Sequence, residues 1–241
     1  MLLIKDGVPQ GSVLGPLLFL LYINDLIYSQ CTCSAKKCES NCLEIASFIL
    51  FADDTNLFVE GSSISEVIKT ADSILSKLKK YLESNFLHIN VTKSKFVHFQ
   101  SPRSKINPLK VAPVFGDKEL QSVKSIKFLG VTIDNRISWK NHILTVTNKV
   151  RSSIGQLYNM RNVIPKKLKV SVYNAIVNSQ LTYAIPVWGC FSKNNDSLRH
   201  IFLLQKRALR NLFAIKRESK HVRGHTKSTF NKYKILTVYN L

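Results

Sequence analysis

Two neighbouring aspartates, Asp53 and Asp54, are the residues of this chain whose types and spacing best suit metal chemistry. They stand between the apolar runs 48–51 and 57–59, so the pattern predicts two strands joined by a tight turn with both acids at its tip. At such a bend, adjacent carboxylates can converge on a divalent cation through the oxygen ligands that Mg²⁺ prefers. A solvated hairpin turn that uses Asp for its turn propensity is the alternative that these residues leave open.

A glycine-containing bend precedes a long apolar run near the N-terminus. Residues 7–19 read Gly-Val-Pro-Gln-Gly-Ser-Val-Leu-Gly-Pro-Leu-Leu-Phe, which predicts a bend that enters an apolar helix ending near Ile23. Gly7 and Gly11 allow the backbone to approach a ligand closely, and Gln10 offers a side-chain amide. The apolar run is too short to span a bilayer, so it predicts a buried helix. An ordinary loop before a core helix is the other interpretation.

The bend and the Phe-Ala-Asp-Asp run together resemble the reverse transcriptases of non-LTR retrotransposons of the jockey type. Further segments are similar, in order, to a later palm motif at 87–99, the primer-grip strand pair at 126–134 and the helical region that follows the palm. The resemblance implies an α+β fold, in which a partial right-hand polymerase palm of antiparallel strands with packed helices precedes an α-helical thumb-like region. The expected domains are a partial palm at 1–135 and a basic helical thumb or C-terminal region at 136–241.

The same resemblance assigns roles to individual residues. Asp53 and Asp54 would be catalytic and would hold Mg²⁺, with Mn²⁺ as a substitute, for two-metal transfer of a deoxynucleotide to a primer 3′-hydroxyl. Lys93 would donate a proton or stabilise pyrophosphate; a solvated lysine near a strand is its other interpretation. The floor beneath the RNA template and incoming deoxynucleotide triphosphate would comprise Gly7, Gln10, Gly11 and Ser12. The DNA primer end would contact Lys127, Gly130 and Val131.

A right-hand polymerase also needs an earlier Asp on a strand that precedes the glycine-containing bend. Only six residues precede Gly7, and Asp6 adjoins the bend, so we expect the fingers and the first palm strand to be missing. The sequence therefore predicts an RNA-directed DNA polymerase truncated at its N-terminus, whose activity as an isolated chain is doubtful. The alternatives are a non-catalytic nucleic-acid-binding remnant or retained host protein, and an unrelated metal-dependent nuclease, which the flanking bend disfavours.

Charge is distributed unevenly along the chain. The net charge is +20; residues 136–241 hold 20 basic and 2 acidic residues (+18), and residues 1–135 hold 15 basic and 13 acidic residues (+2). The step near Asn135 sets the expected domain boundary. The excess of basic residues predicts that the C-terminal half binds a nucleic acid by neutralising phosphates. A Lys-rich proteome or an anionic membrane surface could also account for the basic half.

Local signals place these motifs on elements. The run Ser63-Ile64-Ser65-Glu66 predicts a capping box and a helix of about twenty residues after the Asp-Asp hairpin. Strands are expected over 96–99 and within 126–133. Three helices are expected near 139–161, 165–180 and 195–213, the first after an N-cap at Ser138 and the second with Pro165 in its first turn.

Four of the five cysteines cluster between the apolar helix and the hairpin, at Cys31, Cys33, Cys38 and Cys42. Their spacing fits no familiar zinc pattern, so unligated loop thiols are favoured over structural zinc, and disulfides or chance remain open. Cys190 is expected to be a small core residue. The N-terminus lacks the features of a secretory signal, and no segment is long enough to span a membrane. We therefore expect an intracellular protein with no membrane partner, for which the nucleus is a plausible location.

Overall fold

The computed structural model describes residues 11–26, 46–101, 103, 111–189, 196–215 and 225–241. Gly7, Gln10 and the cysteines at 31, 33, 38, 42 and 190 lie outside the described residues, so the expectations for them stay predictions. The chain divides into two compact units, residues 1–124 and 125–241. This division lies N-terminal to the charge step at Asn135, and it assigns the strand pair predicted within 126–133 to the second unit.

Helices and short strands alternate in the first unit. The longer elements are α1 (Gly15–Ile23), β1 (Ala46–Phe51), β2 (Asp54–Val59) and α2 (Ile64–Ser84). Four short strands follow: β3 (Lys95–Phe96), β4 (Val114–Phe115), β5 (Lys118–Glu119) and β6 (Gln121–Ser122). Strand β1 pairs with β2 and β4 with β5, both antiparallel, and β3 pairs with β6 in parallel. The strand predicted over 96–99 is wrong beyond Phe96, because its partner β6 offers only two residues for pairing.

Helix α2 provides most of the core of the first unit. Leu75, Leu78 and Leu82 recur at helical spacing and are buried against the side chains that α1 and the β1–β2 hairpin direct inward. Each buried leucine contributes about 1.5–3 kcal/mol of transfer free energy. The predicted cap is confirmed at Ser63, whose hydroxyl accepts a hydrogen bond from the Glu66 backbone N–H. The Glu66 carboxylate reaches one residue further back than a capping box requires and accepts from Ser62.

Helix α1 begins and ends close to the prediction, but its expected burial is wrong. Gly15 and Ile23 are its buried residues, whereas Leu17, Leu20 and Leu21 are 52–65% exposed. The helix is apolar on every side, and only the face with Phe19 and Ile23 packs on the core of the first unit. Within the described residues, the remaining leucines of α1 therefore stay on the surface.

The second unit begins with an antiparallel strand pair and continues as helices. Its elements are β7 (Ser125–Phe128), β8 (Val131–Asp134), α3 (Lys140–Met160), a 3₁₀ turn (Lys166–Leu168), α4 (Lys169–Tyr173), a π-helical turn (Asn174–Asn178), α5 (Ser179–Thr182), α6 (Ile185–Trp188), α7 (Asp196–Phe213) and α8 (His225–Lys232). The three predicted helices correspond to α3, the run from the 3₁₀ turn to α5, and α7. Pro165 stands at the N-cap position of the 3₁₀ turn, outside the first turn in which it was predicted. Trp188, Tyr173 and Leu157 lie fully buried in the core of this unit.

Asp134 organises the corner between β8 and α3. Its carboxylate accepts hydrogen bonds from the backbone N–H groups of Arg136, Ser138 and Trp139 and from the Ser138 hydroxyl, at 3.0–3.1 Å. Burial acts to raise the pKa of Asp134, but these donors outweigh it and hold the pKa below its usual value. The predicted N-cap role of Ser138 is wrong, because the Ser138 hydroxyl donates to Asp134. The N-cap position is taken by Trp139, which has a φ of +60°.

The predicted α+β class is confirmed, with helices packed on small sheets that are mostly antiparallel. None of the helices in the described ranges has the length and apolar character needed to cross a bilayer.

Candidate functional site

The β1–β2 hairpin presents both aspartates at its tip. Phe51 pairs with Asp54 across a two-residue turn made of Ala52 and Asp53, and Ala52 adopts a left-handed φ of +50°. Both carboxylate residues are exposed. Phe48 and Leu57 direct their side chains into the core of the first unit, so Asp54, which lies on the opposite face of the alternating strand, points away from that core.

The chemistry of this tip fits a hard divalent cation. Adjacent exposed carboxylates supply the oxygen ligands that Mg²⁺ takes, and repulsion between the two charges falls when a cation is bound. In the described ranges, neither carboxylate forms an ion pair with a lysine or arginine, so both are available to a ligand. Those ranges contain no third His, Cys, Asp or Glu that would complete a ligand set with them. Asp53 and Asp54 therefore fit as part of a carboxylate site.

The described part of the predicted template floor lies at the entrance to α1. Gly11 has a φ of +81°, a backbone conformation that favours glycine, and a Cβ there would meet nothing within 4 Å. The Ser12 hydroxyl accepts a hydrogen bond of 3.0 Å from the Gly15 backbone N–H, which fixes the turn into the helix. Ile23 at the far end of α1 belongs to the same core cluster as the inner face of the β1–β2 hairpin. One core thus supports both predicted motifs.

Lys93 lies on a turn that Asn90 organises. The Asn90 side-chain oxygen accepts hydrogen bonds from the Thr92 hydroxyl at 2.6 Å and the Lys93 backbone N–H at 3.2 Å. The Asn90 backbone carbonyl accepts from the Ser94 hydroxyl. Ile89, just before this turn, packs on the core of the first unit. The Lys93 side chain is exposed. The turn is therefore anchored to the same core as the Asp53–Asp54 hairpin, with the lysine directed to solvent.

The residues of the predicted primer grip lie on the β7–β8 hairpin of the second unit. Leu129 and Gly130 form its two-residue turn with φ of +44° and +85°, the combination that a type I′ turn requires. Left-handed backbone costs a residue with a Cβ about 1–2 kcal/mol, so Leu129 is strained there. Lys127 is exposed and pairs with Thr132. The Val131 side chain is buried in the core, so only its backbone is available to a bound strand.

Residues that sequence reasoning did not connect to this hairpin hold it in place. The Tyr183 hydroxyl donates to the Leu129 carbonyl, and the Thr132 backbone N–H donates to His142 Nδ1 at 3.2 Å. His142 contacts the ring of Trp188 edge-on, with centroids 5.6 Å apart. Burial, and secondly the charge of Lys149, lowers the pKa of His142, so the ring stays neutral and Nδ1 remains an acceptor. No local pattern indicates these contacts, because they join residues far apart in sequence.

The helical surface of the second unit is strongly basic. Within the described ranges of this unit, the acidic residues are Asp134, which is buried, and Asp196 at the start of α7. Among the cations, Arg161 stacks on the half-exposed Tyr158 ring at 4.0 Å, and Arg151 lies 3.0 Å from His200 across α3 and α7. The described helical surface therefore carries a large excess of positive charge.

Known proteins with similar sequences point to one family. Residues 2–133 match the family model described as reverse transcriptase (RNA-dependent DNA polymerase). The chain is 30% identical over 234 residues to a probable RNA-directed DNA polymerase from transposon BS of Drosophila melanogaster, a match that covers 92% of this chain and 23% of that protein. It is 26% identical over 213 residues to the RNA-directed DNA polymerase from mobile element jockey of the same species, covering 87% of this chain and 22% of the relative.

The chain is also 24% identical over 189 residues to a probable RNA-directed DNA polymerase from transposon X-element of Drosophila melanogaster. This match covers 77% of this chain and 19% of the relative. No solved structure matches the chain. The chain spans less than a quarter of the length of these relatives. The resemblance stated from the two motifs is confirmed, since the family model covers more than half of the residues: this chain belongs to the reverse transcriptase (RNA-dependent DNA polymerase) family.

Proposed function

We propose that this chain is the part of a non-LTR retrotransposon RNA-directed DNA polymerase that carries the Asp53–Asp54 metal-binding hairpin and the primer-binding elements. The observation that carries the proposal is the placement of both aspartates, exposed and without a cationic side-chain partner in the described ranges, at the tip of a hairpin whose inner face is packed on a core. Core packing of Phe48 and Leu57 limits movement of the tip, and metal ligands must be held in a fixed position.

Mg²⁺ bound at this tip would activate the primer 3′-hydroxyl and neutralise charge on the triphosphate during nucleotidyl transfer. Asp53 and Asp54 would supply carboxylate oxygens to it, with Mn²⁺ as a substitute. Lys93, exposed on its Asn90-fixed turn, would stabilise the leaving pyrophosphate. Gly11 and Ser12, with Gly7 and Gln10, would form the floor beneath the RNA template and incoming deoxynucleotide triphosphate.

The second unit would bind the RNA–DNA duplex. Lys127 and the backbone at Gly130 would contact the primer end, and the basic helical surface would neutralise phosphates along the duplex. Because counterion release drives such binding, affinity should fall by on the order of 10³-fold between 50 and 200 mM salt if about six phosphates are neutralised. In this assignment the first unit is palm-like and the helices of the second unit are thumb-like.

The test is a titration of the full chain against a labelled RNA template annealed to a recessed DNA primer, with the next deoxynucleotide triphosphate, at constant ionic strength. We expect Mn²⁺ or Mg²⁺ to tighten binding, because it links the aspartates to the triphosphate. The Asp53→Asn variant should lose this tightening. Asp117→Asn is the matched control, because Asp117 is exposed in the two-residue turn of the β4–β5 hairpin of the same unit.

Two results would contradict the proposal. Equal metal dependence in the wild-type chain and Asp53→Asn would exclude the hairpin tip as the metal site. Salt-dependent binding with no metal dependence in any variant would instead favour a non-catalytic nucleic-acid-binding protein, the alternative that the basic second unit supports. Extension of the primer by the wild-type chain that disappears in Asp53→Asn would establish the reaction itself.

A further inference from the structure

The turn of the β7–β8 hairpin is held by a side chain that lies 54 residues further along the chain. The Tyr183 hydroxyl donates a hydrogen bond to the Leu129 carbonyl, and the Tyr183 ring covers Gly130. A Cβ added at Gly130 would lie 3.3 Å from Tyr183 Cε1 and 3.4 Å from its hydroxyl oxygen. Tyr183 therefore contacts both residues of the turn, through one polar and one packing interaction.

The backbone around Tyr183 is shaped to make this contact. Tyr183 leaves the helical conformation at the end of α5, with φ −61° and ψ +118°, and Ala184 follows with a left-handed φ of +52°. The fully buried Trp188 donates from Nε1 to the Tyr183 carbonyl at 2.9 Å. These constraints fix the break between α5 and α6 and direct the tyrosine ring to the hairpin.

The two strands of the hairpin are held in different ways. Strand β8 is anchored directly, because Val131 lies in the core and the Thr132 backbone N–H donates to His142. Strand β7, which carries the exposed Lys127, is held indirectly, through its pairing with β8 and through the turn. The bond from Tyr183 is thus the side-chain contact that fixes the turn next to Lys127.

We propose that Tyr183 is a positioning residue for primer binding: by holding the Leu129–Gly130 turn, it sets where Lys127 and the turn backbone meet the primer end. This inference rests on the proposed primer-contacting function of the hairpin. Tyr183 acts through the hairpin and is not itself a catalytic residue. Tyr183 is 54% exposed, yet its hydroxyl is hydrogen-bonded to the hairpin carbonyl.

The test compares Tyr183→Phe, which keeps the ring and removes the hydroxyl, with Tyr239→Phe in the full chain. Tyr239 is a matched control because it is 53% exposed, lies in the same unit and contacts Phe202. Hydrogen exchange of the amides of residues 127–132 should become roughly fivefold faster in Tyr183→Phe, the effect of losing one hydrogen bond, and stay unchanged in Tyr239→Phe.

The second measurement is the preference of the chain for a recessed primer–template over a blunt duplex of equal length. We expect the wild-type chain to prefer the recessed end and Tyr183→Phe to lose most of that preference while keeping its salt-dependent affinity for the duplex. In a Lys127→Gln background, Tyr183→Phe should have no further effect, because both changes act on the same contact. If Tyr183→Phe fails to fold, Tyr183→Leu, which also removes the hydroxyl and adds no Cβ at Gly130, should give exchange at least as fast.

Different results test the positioning role of Tyr183 and the primer-contacting function of the hairpin. Unchanged exchange at 127–132 in Tyr183→Phe would overturn the positioning role, whatever the duplex preference. Additive losses from Tyr183→Phe and Lys127→Gln would overturn it as well, because the tyrosine would then act elsewhere. A wild-type chain that binds recessed and blunt ends equally would overturn the primer-contacting function of the hairpin, and this inference with it, even if exchange at the turn rises.

Discussion

Replacing the buried Gln205 with leucine should destabilise the second unit by roughly 3 kcal/mol. Gln205 is fully buried on α7 and makes three hydrogen bonds. Its Nε2 donates to the Tyr173 hydroxyl at 3.0 Å and to the Leu236 carbonyl at 2.9 Å, and its Oε1 accepts from the Val238 backbone N–H at 3.0 Å. Each neutral hydrogen bond contributes about 1 kcal/mol net, and leucine restores none of them.

Tyr173 allows the network to be dissected. Burial raises the pKa of Tyr173 to about 12, although its hydrogen bond with Gln205 acts to lower the pKa, so the hydroxyl stays protonated throughout any practical pH range. Tyr173→Phe should cost about 1 kcal/mol, because Gln205 keeps its two backbone partners. The double variant should cost no more than about 3 kcal/mol, since Gln205→Leu already removes the Tyr173 bond.

Urea denaturation followed by tryptophan fluorescence measures these values. Both tryptophans, Trp139 and Trp188, are buried in the second unit, so the signal reports that unit alone. Gln156→Leu, at an exposed position of α3, is the matched control and should stay within about 0.5 kcal/mol of wild type. A free energy of unfolding of Gln205→Leu within that same margin of wild type would contradict the role of these hydrogen bonds. So would costs of Gln205→Leu and Tyr173→Phe that add in full.

Two predictions concern pH. The lowered pKa of His142 means that, as pH falls through about 6.5, the unfolded chain binds a proton that the folded chain does not, so stability is highest above that pH and declines toward pH 5. His142→Asn, which keeps an acceptor for the Thr132 N–H, should flatten this decline in fluorescence-detected melts; identical slopes would contradict the assignment. The lowered pKa of Asp134 gives stability that is fully present above about pH 3.9 and lost as pH falls through the lower folded-state pKa. Asp134→Asn should therefore differ from wild type at pH 6 and converge with it in acid, and a difference independent of pH would exclude an ionised Asp134 as the cause.

Local sequence patterns predicted the regular elements well. The leucines of α2 and the apolar positions of α3 recur at helical spacing, which identifies both helices. The Asp53–Asp54 turn lies between two apolar runs, which identifies the hairpin. Burial was harder to predict. The apolar run of α1 indicates a helix but not which faces find a partner, and much of its surface remains exposed in the described structure.

Helix ends and contacts between distant residues were not predictable in the same way. Three helices end in a left-handed residue other than glycine: Phe86 after α2, Ala214 after α7 and Lys234 after α8. Each end is closed by a backbone hydrogen bond spanning five residues, such as the Leu87 N–H to the Leu82 carbonyl at 2.8 Å. Propensity indicates glycine at such positions, so a sequence without glycine gives no signal there. The hydrogen bond from Tyr183 to Leu129 gives no sequence signal for a different reason: the two residues are 54 positions apart and meet only through packing.

Both candidate functional hairpins carry backbone strain at their tips. Ala52 in the β1–β2 turn and Leu129 in the β7–β8 turn adopt left-handed φ values, where a Cβ costs about 1–2 kcal/mol. Strain of this kind persists only where surrounding contacts determine the conformation, and it is concentrated at functional sites. In the first hairpin the contacts are six strand pairs and the packing of Phe48 and Leu57, and in the second they include Tyr183. A glycine at either position would relieve the strain, so these contacts, and not the turn residue itself, hold each tip in its conformation.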